Sequence, residues 1–337
     1  MSEQGPAAPG LEEILVRDIL PLYFGAETAS TVPTFVLLSA QPGSGAARAT
    51  GRLLADHGDG MAAVNADGLR AFHPRFAELT ASGSADGASV LSEATAEWLR
   101  ASIAFAREQH RSLLLEGNFA TPSTAIALAQ RFAAEGFRTR VVVVAARRAE
   151  SLLASASSYL RDVHAGRPAR FISRDAHDRG FEGTRTLTTA IEEADAIDRF
   201  TILGRGGAPV FDAERDGSDR PFRGAGAALR DAQSERLTSL QSAQWLSEYR
   251  RVTEFAATLR ELPIPLGDLV IDLHETAIRE VIRELPVPPG SRVIEAQEHR
   301  SAVDLVALRR QLAPEPPIEA PAPVVVPTGP ERGGPSR

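Results

Sequence analysis

The sequence predicts an α/β fold, an αβα sandwich in which helices cover both faces of a mostly parallel sheet, followed by a helical C-terminal appendage and a disordered tail. Three observations predict it. Short apolar runs alternate with helical patterns between residues 34 and 211, the signature of βαβ units. Those runs end in polar residues, at the edge where open parallel sheets bind ligands. From residue 227 the pattern is helical alone, and eight of the 23 prolines fall in 314–337, a composition that buries too little apolar surface to fold.

Taken in order, Leu11, Ile14, Leu15 and Ile19 stand at helical spacing with Glu12, Glu13, Arg17 and Asp18 between them. They predict an amphipathic helix that ends at Pro21. A Ser/Thr/Pro linker leads to a buried strand at 35–38, a helix at 46–56 and a strand at 61–64 that runs into Asn65-Ala66-Asp67. A long helix at 84–108 containing Trp98 precedes a strand at 113–115 that ends in Glu116-Gly117-Asn118. A helix at 122–135 and a strand at 141–144, four valines in a row, complete the pattern expected of a parallel sheet. A helix at 149–164 is broken by Gly166-Arg167-Pro168. A further helix is expected at 184–197, then strands at 200–203 and 209–211 around the turn Gly204-Arg205-Gly206-Gly207. Helices at about 227–261, 267–284 and 297–311 follow. The expected organisation is therefore 1–30 N-terminal helix and linker, 31–213 sandwich domain, 214–312 helical region and 313–337 tail.

A chain of 337 residues that is 43% hydrophobic can bury a full α/β core. Its net charge of −7 provides no positive blanket, so a nucleic-acid partner is not expected. The absence of cysteine excludes disulfides, thiolate zinc sites and a cysteine nucleophile. No apolar stretch approaches the roughly 20 residues that span a bilayer, and no leader pattern opens the chain. A cytoplasmic protein without a membrane partner is expected. Nothing has metal-ligand spacing.

The most informative stretch is 34–48, an apolar run that breaks into small residues and opens a helix. It reads as a P-loop, in which backbone N–H groups cradle phosphates, a lysine reaches the β- and γ-phosphates and a hydroxyl binds Mg²⁺. Aligned on Gly45, the first glycine is Ala40, the lysine is Ala46 and the Ser/Thr is Ala47. Gln41, Pro42, Gly43, Ser44, Gly45, Ala46 and Ala47 remain as the candidate cradle. Arg48 lies about 200° around the helix from Ala46, and Thr50 is about one turn beyond Ala47, so neither is expected to substitute. Each lost charge-assisted contact is worth about 1.5–3 kcal/mol.

The order of these pieces resembles the zeta-toxin family, P-loop kinases that phosphorylate UDP-N-acetylglucosamine with ATP and act beside an antitoxin. The likeness runs from about Leu11 to Phe211. It rests on Ile19-Leu20-Pro21, Gln41-Pro42-Gly43-Ser44-Gly45, the Asp67 to Pro74 segment, Leu115-Glu116-Gly117, and Arg170 with His177 beyond it. The resemblance implies that Asp67 takes the proton from the sugar hydroxyl and that Arg170 neutralises the transferring phosphate. It implies that Glu116 and Asn118 face the substrate. It also marks departures: Ser158, before Tyr159, and Ala120 stand where the family has arginines.

Plainer roles stay open beside these. Asp67 could cap a helix starting near Leu69, Glu116 could sit in a salt bridge, and Arg170 could be a surface cation with Arg167 and Arg174. His73 and His177 suit packing or capping. The reading that fits the departures is a degenerate pseudokinase with weak ATP binding and little or no phosphoryl transfer, the role of Mg²⁺ being open. An active kinase of UDP-N-acetylglucosamine or another small molecule is the first alternative. A nucleotide-sugar-binding regulator acting through the C-terminal helices is the second.

Overall fold

The computed structural model describes residues 10–25, 30–119, 121–217, 220–259 and 261–312. Six strands form one sheet: β1 (Thr34–Ser39), β2 (Met61–Asn65), β3 (Ser112–Gly117), β4 (Arg138–Ala145), β5 (Arg199–Gly204) and β6 (Pro209–Glu214). Their order is β2-β3-β1-β4-β5-β6. The first five are parallel and β6 runs antiparallel to β5. The central strands are apolar throughout because both faces are covered. Phe35, Leu37, Val141 and Val143 point to one face, where Phe132 stacks on Phe35 with ring centroids 3.9 Å apart. Val36, Leu38, Val142 and Val144 point to the other, against Ala49 and Leu53 of the helix Ala46–His57. On the last pair of strands, Arg199 forms ion pairs with Asp212 and Glu214.

Several elements differ from the sequence expectation, each for a local reason. Pro21 does not end the first helix. A π turn, Leu15–Ile19, widens the chain just before it, and helical structure continues through Leu20–Phe24 with Pro21 in the first turn, where its missing N–H removes little. The helix expected at 184–197 is Arg174–Ile191, capped by the Ser173 hydroxyl, which accepts from the Ala176 N–H. The stretch expected as one helix at 227–261 is two, Ala225–Ser234 and Ser239–Thr258. A reciprocal capping box between Thr238 and Gln241 starts the second. Two short helices, Ala66–Arg70 and Phe76–Ser82, follow β2. The helix Ile264–Thr276 continues through a π turn, Ala277–Val281, into a 3₁₀ turn, and Arg292–Leu312 follows. The segment expected as a tail, 313–337, lies outside the described residues.

Two tryptophans anchor the outlying helices. Trp98 is fully buried in the long helix Ala85–Glu108, and its Nε1 donates to the Leu11 carbonyl at 2.8 Å. This holds the N-terminal helix against the core through Ile14, Ile19 and Phe24. Trp245 donates to the Ala149 carbonyl at 2.9 Å and seats Ser239–Thr258 on the helix Arg148–His164. Among the described residues no helix is long and apolar enough to cross a membrane. Trp98→Ala removes a buried indole and its bond to the first helix, and should destabilise the fold by about 3–5 kcal/mol. Chemical denaturation followed by circular dichroism checks it, and a loss under about 1 kcal/mol would mean the site collapses without a cavity.

Candidate functional site

β1 delivers the chain to the ligand-binding edge of the sheet, where its last residue Ser39 lies in register with Gly117 of β3 and Val143 of β4. The turn that follows is built on two glycines in the left-handed region, Gly43 at φ +76° and Gly45 at φ +99°. Gly43 is also a close approach, because a Cβ there would sit 2.0 Å from the Ser151 carbonyl oxygen. From the other side Gly180 lets the helix Arg174–Ile191 come close to Pro42, Gln41 and Asn118. Gln41 is buried and its Nε2 donates to the Ala146 carbonyl at 3.1 Å.

The helix Ala46–His57 then begins at Gly45 with no side chain capping it, so its first N–H groups stay available. Ser39 Oγ, Gln41 Oε1 and Ser44 Oγ are buried without a partner at the same turn. Finished interiors rarely leave such groups. At an uncapped helix start the two serine hydroxyls, which can donate, fit a polyphosphate held by backbone donors, whereas Gln41 Oε1 is an acceptor and adds nothing to an anion site. The turn does not fit a metal: Ala47 has no hydroxyl, and no group of acidic or histidine side chains among the described residues could hold one. Glu116, at the end of β3, accepts a hydrogen bond from Thr50 Oγ1 at 2.8 Å, and no salt bridge to it is found among the described residues.

Asp67 and Arg170 come together although they are 103 residues apart, with Arg170 Nη1 donating to Asp67 Oδ1 at 2.7 Å. Asp67 is not the cap of its helix. Asn65 has that role, its side chain accepting from the Gly68 N–H at 2.7 Å. Among the described residues the hydrogen-bond partner of the Asp67 carboxylate is Arg170, and both side chains are more than half exposed. Arg70 lies in the same field; burial lowers its pKa first and the charge of Arg170 adds to the effect, while Asp67 opposes it. Its Nε is buried and unpartnered. Asn118 is exposed, with its Nδ2 beside Gly180. His73 accepts from the Arg75 N–H at its Nδ1 in a local turn.

His177 is a fully buried member of a polar chain behind the loop. Its Nε2 meets Ser151 Oγ at 2.9 Å and its Nδ1 meets Asp178 Oδ1 at 3.0 Å. Arg148 binds Asp178 through Nε and Nη2, both at 2.8 Å, and also binds Asp272 of the helix Ile264–Thr276. Burial keeps His177 neutral by lowering its pKa. Burial alone would raise the Asp178 pKa, but hydrogen bonds from Arg148 and His177 outweigh it and hold the carboxyl below its usual range. The order Ser–His–Asp has the shape of a nucleophilic triad. Ser151 is fully buried under Gly43, however, so no substrate reaches its hydroxyl.

The family model described as Zeta toxin matches residues 24–216, more than half of the sequence. The chain belongs to the zeta toxin family. It is 22% identical over 254 residues to Toxin zeta of Streptococcus pyogenes, covering 73% of this chain and 88% of that protein. It shares a fold with a structure from the PezAT chromosomal toxin-antitoxin system of Streptococcus pneumoniae, at TM-score 0.62 and 18% identity over 73% of this chain and 96% of that one.

Zeta toxins are P-loop kinase toxins. Ser158 is exposed on the helix Arg148–His164 beside Tyr159, which packs edge-on against Phe171. Ala120 lies outside the described residues. Sequence reasoning missed Asn65, Arg70 and the Arg148–Asp272 link, whose partners are 124 residues apart; only the Asn before a helix start was a readable signal. A cavity of about 380 Å³ opens away from this edge, among the C-terminal helices, where Tyr249, His274 and Ser301 line it.

His177 and His274 are both held neutral by burial. The unfolded chain therefore takes up their protons first, so their contribution is complete above about pH 6.5 and is lost as the pH falls through the depressed folded values. The thermal midpoint should decline as the pH drops from about 6.5 to 5. His177→Gln should flatten that decline, and an unchanged slope in thermal scans across the range would remove His177 from the account.

Proposed function

We propose that this chain is a degenerate zeta toxin, a pseudokinase that keeps the phosphate cradle and the Asp67–Arg170 edge but transfers phosphoryl groups weakly or not at all. The family reaction moves the γ-phosphoryl of ATP to a hydroxyl of UDP-N-acetylglucosamine. In that chemistry Asp67 accepts the hydroxyl proton, Arg170 offsets charge on the moving group, and Glu116 and Asn118 border the sugar. The observation that carries the reading is the start of the helix Ala46–His57, where Ala46 and Ala47 offer methyl groups in place of a cation and a metal-binding hydroxyl. Phosphoryl transfer is catalysed almost entirely by positioning and by neutralising charge. Losing both groups removes most of that neutralisation.

The Asp67–Arg170 pair favours a second reading, an active kinase. The pair is exposed and worth at most about 1 kcal/mol, so a substrate hydroxyl could displace the arginine at little cost. The name of the Streptococcus pneumoniae system supports an antitoxin protein as partner. Residues 31–213 would then be the nucleotide-facing domain and 214–312 a helical region that braces it, with a cytoplasmic setting for both.

Two measurements test this. ATP should bind weakly and with little dependence on Mg²⁺, and a tight, strongly Mg²⁺-dependent complex would refute the loss of the metal ligand. Phosphate incorporation into UDP-N-acetylglucosamine should be absent in the unsubstituted chain. Ala46→Lys with Ala47→Thr should tighten ATP binding about 10- to 100-fold, and turnover should need Ser158→Arg in addition. Robust turnover by the unsubstituted chain would replace the pseudokinase reading with the active one.

A further inference from the structure

We propose that Arg205, in the turn between β5 and β6, is the phosphate-binding cation of this loop and supplies from a neighbouring strand the charge that Ala46 lacks. The proposal rests on the reading of residues 41–47 as a polyphosphate cradle. Its first support is position. A Cβ placed on Gly45 would lie 3.7 Å from Arg205 Cγ and 3.5 Å from the Arg205 carbonyl oxygen, so the stem of this arginine runs along the loop itself. The turn is held there by the loop's own helix: Arg52 Nη1 donates to the Gly207 carbonyl at 2.9 Å, and Arg48 Nη1 reaches the Arg205 carbonyl at 3.5 Å.

The second support is what Arg205 leaves unmade. Its Nε is buried with no partner, and its head meets Glu150 only at 4.0 Å, beyond hydrogen-bond range. Glu150 lies nearer to Arg147, at 3.6 Å, and Arg147 also pairs with Glu235 at 3.3 Å, so the Arg205 head is the guanidinium of this group held most loosely by a carboxylate. Most other arginines nearby are committed: Arg147 binds Gln241 and Glu235, Arg148 binds Asp178 and Asp272, and Arg52 holds the turn. Arg48, on the exposed side of its helix, touches the turn only at 3.5 Å. A planar guanidinium with unused donors suits a phosphate oxygen pair better than it suits the distant carboxylate. Ser44 Oγ, a hydroxyl that can donate, lies in the same turn, buried and without a partner among the described residues. A cation supplied by the protein also makes phosphate binding independent of Mg²⁺.

The test is titration calorimetry without Mg²⁺, using inorganic tripolyphosphate, ATP and adenosine as probes. The unsubstituted chain should bind tripolyphosphate and ATP but not adenosine, and Arg205→Ala should weaken both about 10- to 100-fold. Adding Ala46→Lys to Arg205→Ala should restore both by returning a cation to the loop. Equal affinity of Arg205→Ala and the unsubstituted chain would overturn the assignment and leave the cradle standing. A loss for ATP alone would place Arg205 on the nucleoside and overturn it too. Failure of the Ala46→Lys rescue would mean the substitution displaced the turn rather than removed a charge, which also overturns it. Binding of neither phosphate probe by the unsubstituted chain would overturn the cradle reading, and this assignment with it.

Discussion

The site depends on one close approach, that of Gly43 to the backbone of the helix Arg148–His164. A side chain at position 43 would collide with the Ser151 carbonyl, so the loop can take its shape only because the residue is glycine and the helix start is fixed. The helix start is fixed in turn by charge. Arg148 reaches Asp178 on one neighbouring helix and Asp272 on another, while Ser151 is tied to His177. The pairs are partly buried, and removing Arg148 would leave two carboxylates without their shared cation. The C-terminal helices are thereby part of the device that shapes the loop, since Asp272 belongs to them.

Around this scaffold the loop carries methyl groups at Ala46 and Ala47 on a backbone turned by Gly43 and Gly45. Backbone donors and the helix dipole act on any anion of suitable shape, whereas a lysine and a metal-bound hydroxyl act on a triphosphate in a reactive geometry. On the proposed reading, a chain with the first set and without the second separates recognition from chemistry. The Asp67–Arg170 edge shows the same separation: the two groups remain adjacent, but they satisfy each other.

Much of the sheet was legible because its signal is local. The four valines of β4 and the apolar run of β1 are buried on both faces, the pattern expected of interior strands of a parallel sheet. The start of the helix Arg174–Ile191 was misplaced because its first turns bury His177 and Gly180, and the apolar residues of its buried side begin only at Phe181. The break near 238 was written in the sequence as Thr-x-x-Gln, and the long helical periodicity around it hid the signal. For the site, family likeness brought Asp67 and Arg170 to one edge, but their direct pairing is a tertiary fact that spacing does not encode. Arg205 was hidden for another reason. It stands in a glycine-rich turn that reads as a connector, and only its packing on Gly45 gives it a role.

The last strand has a consequence of its own. β6 pairs with β5 on one side and stands at the end of the sheet order, so its outer row of backbone groups could template a strand from a second molecule. It begins with Pro209, which has no N–H to offer, and it carries Asp212 and Glu214, drawn to Arg199 across the pair. An incoming strand would meet a missing donor at one end and would have to desolvate paired charges at the other. The sheet is thus guarded against growth by addition at its antiparallel margin, by a missing donor at the end near the loop and by paired charges at the far end.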